Sequence, residues 1–138
     1  MSRFVLDASV ALAWFIDTPV PPYAIQVRQS MLAGARAHVP ALWHLEMANG
    51  IVVAERRRIL TATDAAYGLR SLEQLIQAVE TGPQMVPLRQ AFETARAFDL
   101  SAYDSVYLDL ARYEGLPLAT LDRSLRAAAT RAGVERFR

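Results

Sequence analysis

Cysteine and lysine are both absent from the 138 residues, and histidine occurs only twice. Without cysteine there is no disulfide framework and no thiolate metal site, so any metal is held by oxygen and the chain suits a reducing compartment. Without lysine, every mechanism that needs a catalytic lysine is excluded. Neither G-x-G-x-x-G nor G-x-x-x-x-G-K occurs, which removes the usual phosphate-cradling loops of nucleotide binders. No apolar run is long enough to cross a bilayer. Phe4 to Ile16 follows Arg3 in the manner of a short signal peptide, yet Asp7 interrupts it and it is too short to span. The chain therefore reads as soluble, unexported and cytoplasmic, with no membrane partner.

What is present is a hydrophobic content of 53%, enough for a real core in one domain over residues 1–138. The formal charge of +1 conceals a skew, because all fifteen basic residues are arginine. Short apolar runs alternate with helix-compatible stretches. Phe4-Val5-Leu6 reads as a strand ending at Asp7, followed by a helix over Ser9 to Ile16 that the Thr18 to Pro22 stretch breaks. Tyr23 to Ala35 reads as a helix, His38-Val39 as a minimal strand, and Pro40 opens a helix to about Arg58. Thr61 with Asp64 forms a variant capping box for a helix to about Val79, which Gly82-Pro83 ends. Met85-Val86 reads as a third strand, followed by helices over Leu88 to Phe98 and Ser101 to Tyr113. Leu118 to Leu121 reads as the fourth strand, Arg123 to Ala132 as a helix, and Val134 to Phe137 as a fifth strand. Such alternation predicts an α/β fold on a parallel sheet covered by helices.

In an open parallel sheet, ligands bind beyond the carboxyl ends of the strands where strand order reverses. Asp7 and Asp122 end strands one and four, and an order 3-2-1-4-5 makes those strands neighbours roughly 5 Å apart. Asp104 lies in the first turn of the helix that leads into strand four, and Glu46 near the start of the helix after strand two, so both return to the same edge. Two carboxylates about 4 Å apart repel by roughly 4 kcal/mol at an effective dielectric near 20, so such a cluster calls for a cation. Oxygen donors alone select hard ions such as Mg²⁺ or Mn²⁺, which activate water and stabilise the leaving oxygen of a phosphodiester. Each acid also has a plain reading. Asp7 and Asp122 precede helices as N-caps would, and Asp104 stands three after Ser101 as in a capping box. Glu46 has no basic neighbour at helical spacing to pair with it. Asp109 is rotated away from Asp104 by about 140° and reads as a surface residue.

Four segments carry a resemblance. They are Phe4 to Phe15, Pro40 to Asn49, Leu100 to Tyr107 and Gly115 to Arg123, which together hold all four acids in order. The chain resembles the PIN-domain family, and within it the VapC-type toxins of toxin-antitoxin systems. That resemblance implies a three-layer α/β/α sandwich with a five-stranded parallel sheet in the order 3-2-1-4-5. It implies a Mg²⁺-dependent endoribonuclease, with Mn²⁺ as a substitute, that cuts defined cellular RNA such as tRNA or ribosomal RNA. Asp7, Glu46, Asp104 and Asp122 are then the catalytic and metal-binding acids, Asp122 acting through water, while Ser9, Asn49 and Thr120 support them. A VapB-type antitoxin and a second copy of the chain are the implied protein partners. The segment from Thr61 to Met85 matches the family weakly.

An acidic pocket repels phosphate unless cations flank it, and Arg123 and Arg126 are the arginines placed to guide RNA. Arg56-Arg57-Arg58 instead complements a helix C-terminus. Of Trp14, Phe15, Trp43 and Tyr103, at least two are expected in the core and the others could stack on bases. Three other readings compete. A PIN nuclease of RNA maturation or decay would lack an antitoxin, and an inactive PIN scaffold would have no reason to keep four repelling acids. A phosphoacceptor module would need a lysine and an acceptor aspartate after strand three, where Pro87 stands instead.

Overall fold

A computed structural model describes residues 2–83 and 85–138. Four strands and seven helices follow one another in the order β1 (Arg3–Leu6), α1 (Ala8–Ile16), α2 (Pro22–Leu32), β2 (Arg36–Val39), α3 (Leu42–Arg56), α4 (Ala62–Ile76), β3 (Val79–Thr81), α5 (Leu88–Phe98), α6 (Ala102–Glu114), β4 (Leu118–Ala119) and α7 (Arg123–Arg131). The described strands form one sheet in the order β3-β2-β1-β4, with every pairing parallel. β1 is central, and its Phe4, Val5 and Leu6 are wholly buried, as expected for a strand covered on both faces. Helix α1 packs on both α2 and α3, and α3 on α4, while α6 packs on α5, α7, β1 and β4.

The five-stranded expectation is corrected to four. Residues 134–137 do run parallel to β4, but they meet it only in the single bridge between Leu118 and Arg136. β4 is two residues long, because the backbone beyond Ala119 turns to side-chain partners instead of a ladder. The third strand is also not at Met85-Val86. It is Val79–Thr81, paired to β2 through Ala37, His38 and Val39, and Gly82 N–H extends the pairing to the Val39 carbonyl at 2.7 Å. Pro83 and Pro87 flank Met85 and Val86, which lie exposed. β3 is held by charge across strands: Glu80 accepts from Arg36 at 2.9 Å and Arg3 at 3.2 Å. The preceding helix accordingly stops at Ile76 and not at Val79.

Helix starts follow local chemistry. Thr61 and Asp64 form a complete capping box at 3.0 and 3.2 Å. Asp122 caps α7 by accepting from Ser124 and Leu125 N–H at 2.8 and 3.1 Å. Gly115 ends α6 in the left-handed conformation that glycine adopts without steric cost. Trp43 is fully buried, Trp14 and Phe15 pack against the core, and Tyr103 is exposed.

Candidate active site

Asp7 follows the last residue of β1 and occupies the N-cap position of α1, yet its side chain makes no cap hydrogen bond. Its Oδ2 instead accepts from Ser9 Oγ at 2.6 Å and Thr120 Oγ1 at 2.8 Å. Each hydroxyl is fed from behind by backbone, Leu121 N–H donating to Ser9 Oγ and Asp122 N–H to Thr120 Oγ1, both at 3.0 Å. A hydroxyl that accepts an N–H has its one proton left to donate, so both protons are directed at Asp7. The same bonds tie the end of β1 to the end of β4 and set where Asp122 begins α7.

Asp104 resolves in a similar way. Its N–H is capped by Ser101 Oγ at 3.0 Å, but no reciprocal bond from its carboxylate to the Ser101 N–H is formed. The box at Thr61 is complete and this one is half made, so the Ser101 N–H does not tie down the Asp104 carboxylate. Glu46, in the second turn of α3, accepts from Tyr107 Oη at 2.6 Å. Tyr107 is fully buried one helical turn after Asp104. Asp122 spends Oδ1 on its helix cap. The plain cap reading therefore holds for one oxygen of Asp122 and fails for Asp7.

The four acids sense one another. Burial raises the Asp7 carboxyl, its two hydroxyl donors lower it, and the Asp122 charge raises it further. Burial raises Glu46, Tyr107 opposes, and Asp7 and Asp104 add to the rise. Asp104 is pushed up to about 6 by burial and then by Asp122 and Asp7. Burial and Glu46 together hold the Tyr107 hydroxyl far above its usual range, so it stays protonated and keeps its hydrogen to donate to Glu46. The ion pairs among the described residues fall on Glu80 and Glu93, and none involves the four acids.

Among the described residues no group of three His, Asp or Glu side chains is placed closely enough to hold a metal ion by itself. The donor chemistry nevertheless fits a hard divalent ion. Mg²⁺ keeps several waters and commonly takes only one or two carboxylates directly, so loosely grouped acids suffice. The absence of a counter-charge and the upward shifts are what such an ion would offset.

Beside Glu46 and Asp104 lies a groove of about 740 Å³, lined also by Leu42, Leu45, Val52 and Tyr103. Asn49 lines it and is exposed, and it makes no described hydrogen bond to the acids. Ser9 and Thr120 do join the site, through Asp7. Arg123 is exposed in the first turn of α7. Arg126 is partly buried and donates to the Thr120 carbonyl at 2.7 Å, so it braces the strand end. Asp109 is not a surface residue: it accepts from Thr94 at 2.9 Å and its Oδ2 is buried. Sequence reasoning gave no role to Tyr107, although a tyrosine three residues after Asp104 shares its helical face.

Residues 4–130 match the PIN domain family. A VapC ribonuclease of Mycobacterium bovis is 36% identical over 122 residues, covering 88% of this chain and 87% of the relative. Ribonuclease VapC3 of Pyrobaculum aerophilum is 28% identical, covering 89% and 92%. The crystal structure of PAE2754 from Pyrobaculum aerophilum is similar with a TM-score of 0.67 at 26% identity, covering 92% of this chain and 84% of that one. FitAcB from Neisseria gonorrhoeae shares the fold with a TM-score of 0.63 at 18% identity, covering 98% and 96%.

Proposed function

The chain belongs to the PIN domain family, in its VapC ribonuclease branch, and from that premise we propose that it is a Mg²⁺- or Mn²⁺-dependent endoribonuclease, the toxin of a toxin-antitoxin pair. The observation that carries this reading is the convergence of Asp7, Glu46, Asp104 and Asp122 at one sheet edge, where burial and neighbouring carboxylates raise Asp7, Glu46 and Asp104 and no ion pair among the described residues offsets them. The working unit is one PIN domain over residues 1–138, acting in the cytoplasm as a homodimer. Its substrate is a defined cellular RNA, tRNA or ribosomal RNA, and its inhibitor a VapB-type antitoxin. No described helix is long and apolar enough to cross a membrane.

Asp7, Glu46, Asp104 and Asp122 would hold the metal. A bound Mg²⁺ or Mn²⁺ supplies an activated water and stabilises the leaving oxygen of the phosphodiester. Ser9 and Thr120 lock Asp7 by occupying Oδ2. Tyr107 holds Glu46 at a fixed orientation from within the core. Asp122, with Oδ1 anchored to the helix, can present Oδ2 to a water. The groove walled by Leu45, Val52 and Tyr103 next to Glu46 and Asp104 suits an antitoxin tail, because it combines exposed apolar side chains with acids at one end.

The test is incubation of total cellular RNA with purified protein in Mg²⁺ or Mn²⁺, beside EDTA and Asp7→Asn controls, with product ends mapped by sequencing. Discrete cuts that vanish in both controls are expected. Intact RNA from folded, antitoxin-free protein would contradict the nuclease reading.

A further inference from the structure

Residues 123–138 hold five arginines, Arg123, Arg126, Arg131, Arg136 and Arg138, against the single acid Glu135. None of the five is in a described ion pair. Two are occupied elsewhere, Arg131 by the Phe98 carbonyl at 2.8 Å and Arg126 by that of Thr120. Arg136 and Arg138 are exposed, and with Pro22, Tyr23 and Gln26 they line a cleft of about 450 Å³. The Arg136 guanidinium lies 4.0 Å from the centre of the Tyr23 ring, and that of Arg126 lies 5.6 Å from it. Tyr23 Oη donates to the Phe137 carbonyl at 2.7 Å, which pins the segment beneath the arginines.

Arg126 links this cleft to the acidic cluster. The segment that carries Arg136 runs parallel to β4, with Arg136 level with Leu118, the first residue of that strand, and Arg138 two residues farther toward the edge where Asp122 stands. Arg126 spans the gap: it faces Tyr23 on one side, and on the other bonds Thr120, whose hydroxyl donates to Asp7 at 2.8 Å. An RNA strand laid over four acids is repelled by them, and the phosphates on either side of the cut need cations to hold them there. Planar guanidiniums braced on an aromatic ring lose little freedom when they bind phosphate.

We infer that Arg136 and Arg138, beside Tyr23 and β4 and linked through Arg126 to the strand end that holds Asp7, form a phosphate-binding subsite for the RNA backbone that crosses the acidic cluster. This rests on the nuclease reading above and extends it from the acids to the strand that crosses them. The subsite reads charge and not sequence, so its loss weakens all RNAs alike.

The probe is a fluorescently labelled single-stranded RNA of mixed sequence. Its binding is measured across salt concentrations in the Asp104→Asn background, where bound RNA is not consumed, with wild-type cutting followed in parallel. Arg136→Ala with Arg138→Ala should weaken binding about tenfold and flatten the slope of log affinity against log salt by about 1.4, at about 0.7 per lost contact. Arg136→Lys with Arg138→Lys should keep most of the slope, because the charges remain. Arg112→Ala, at the far end of α6, should lose less than half as much as the double alanine variant. Cutting by wild type with unchanged affinity and slope in the double alanine variant would overturn the subsite while sparing the nuclease, and would leave the cleft to an acidic protein. A chain that neither binds nor cuts RNA would overturn both.

Discussion

Asp7 accepts two hydroxyl donors on one oxygen and Asp122 two N–H donors on one of its own, whereas the Asp104 carboxylate is raised by burial and by both of those charges. Its carboxyl sits at about 6 in the folded chain against an ordinary value of 3.8. Between about pH 4 and 6 the folded state therefore holds more protons than the unfolded one, so stability falls as pH rises through that window and levels off above it. Thermal melts in EDTA should show this decline, and Asp104→Asn should flatten it and stabilise the metal-free protein at pH 7 by on the order of 0.5 kcal/mol after solvent screening. Tyr107→Phe tests the link to Glu46. It should cost about 1 kcal/mol in denaturant melts, the usual worth of a hydrogen bond, and lower cleavage about tenfold as loss of a ligand-orienting partner does. Tyr107 was hidden in the sequence because its partner is 61 positions away. Asp109 was misread for the same reason: Thr94 on α5 buries it, and spacing along α6 carries no record of that neighbour.

Helix α3 brings Glu46 to the site by lying close on α1. A Cβ on Gly50, one turn after Glu46, would stand 2.5 Å from Leu12 Cδ2 and 2.6 Å from Cδ1. Leu12 is a flexible side chain and can give way to one methyl, so Gly50→Ala should be mild. Gly50→Val should cost about 1–3 kcal/mol and reduce metal-dependent stabilisation by moving α3 outward, as read by melts with and without Mn²⁺. Asp64→Ala removes half of the capping box on α4 and serves as the contrast. It should cost about 1 kcal/mol and leave cleavage unchanged. Elements with local signals were legible in the sequence: the helix over Leu88–Phe98 begins after Pro87, and those at Thr61, Ser101 and Asp122 begin at their caps. β3 was not legible. Its three residues continue an amphipathic helix, and what makes them a strand is Glu80 meeting Arg3 and Arg36 from other strands. The expected fifth strand shrank to one bridge because the chain just past β4 gives its Leu121 and Asp122 N–H groups to Ser9 and Thr120 hydroxyls and leaves no ladder to extend.

Over the whole molecule, fourteen acids nearly balance fifteen arginines, but their distribution is uneven. Four acids lie toward one sheet edge with no ion pair among the described residues, while the last sixteen residues carry five arginines and one acid. That division suits a centre that takes a divalent cation in one place and a polyanion beside it. The acids and their order were visible from strand ends and helix starts, because a parallel sheet sends both to the same edge. Their joint role is tested most directly by titrating Mn²⁺ into metal-free wild type and into Asp7→Asn, Glu46→Gln, Asp104→Asn and Asp122→Asn, with binding followed by calorimetry. Saturable binding by wild type, weakened at least tenfold in each of the four, is the predicted result. Equal Mn²⁺ affinity in wild type and all four variants would contradict a shared metal centre.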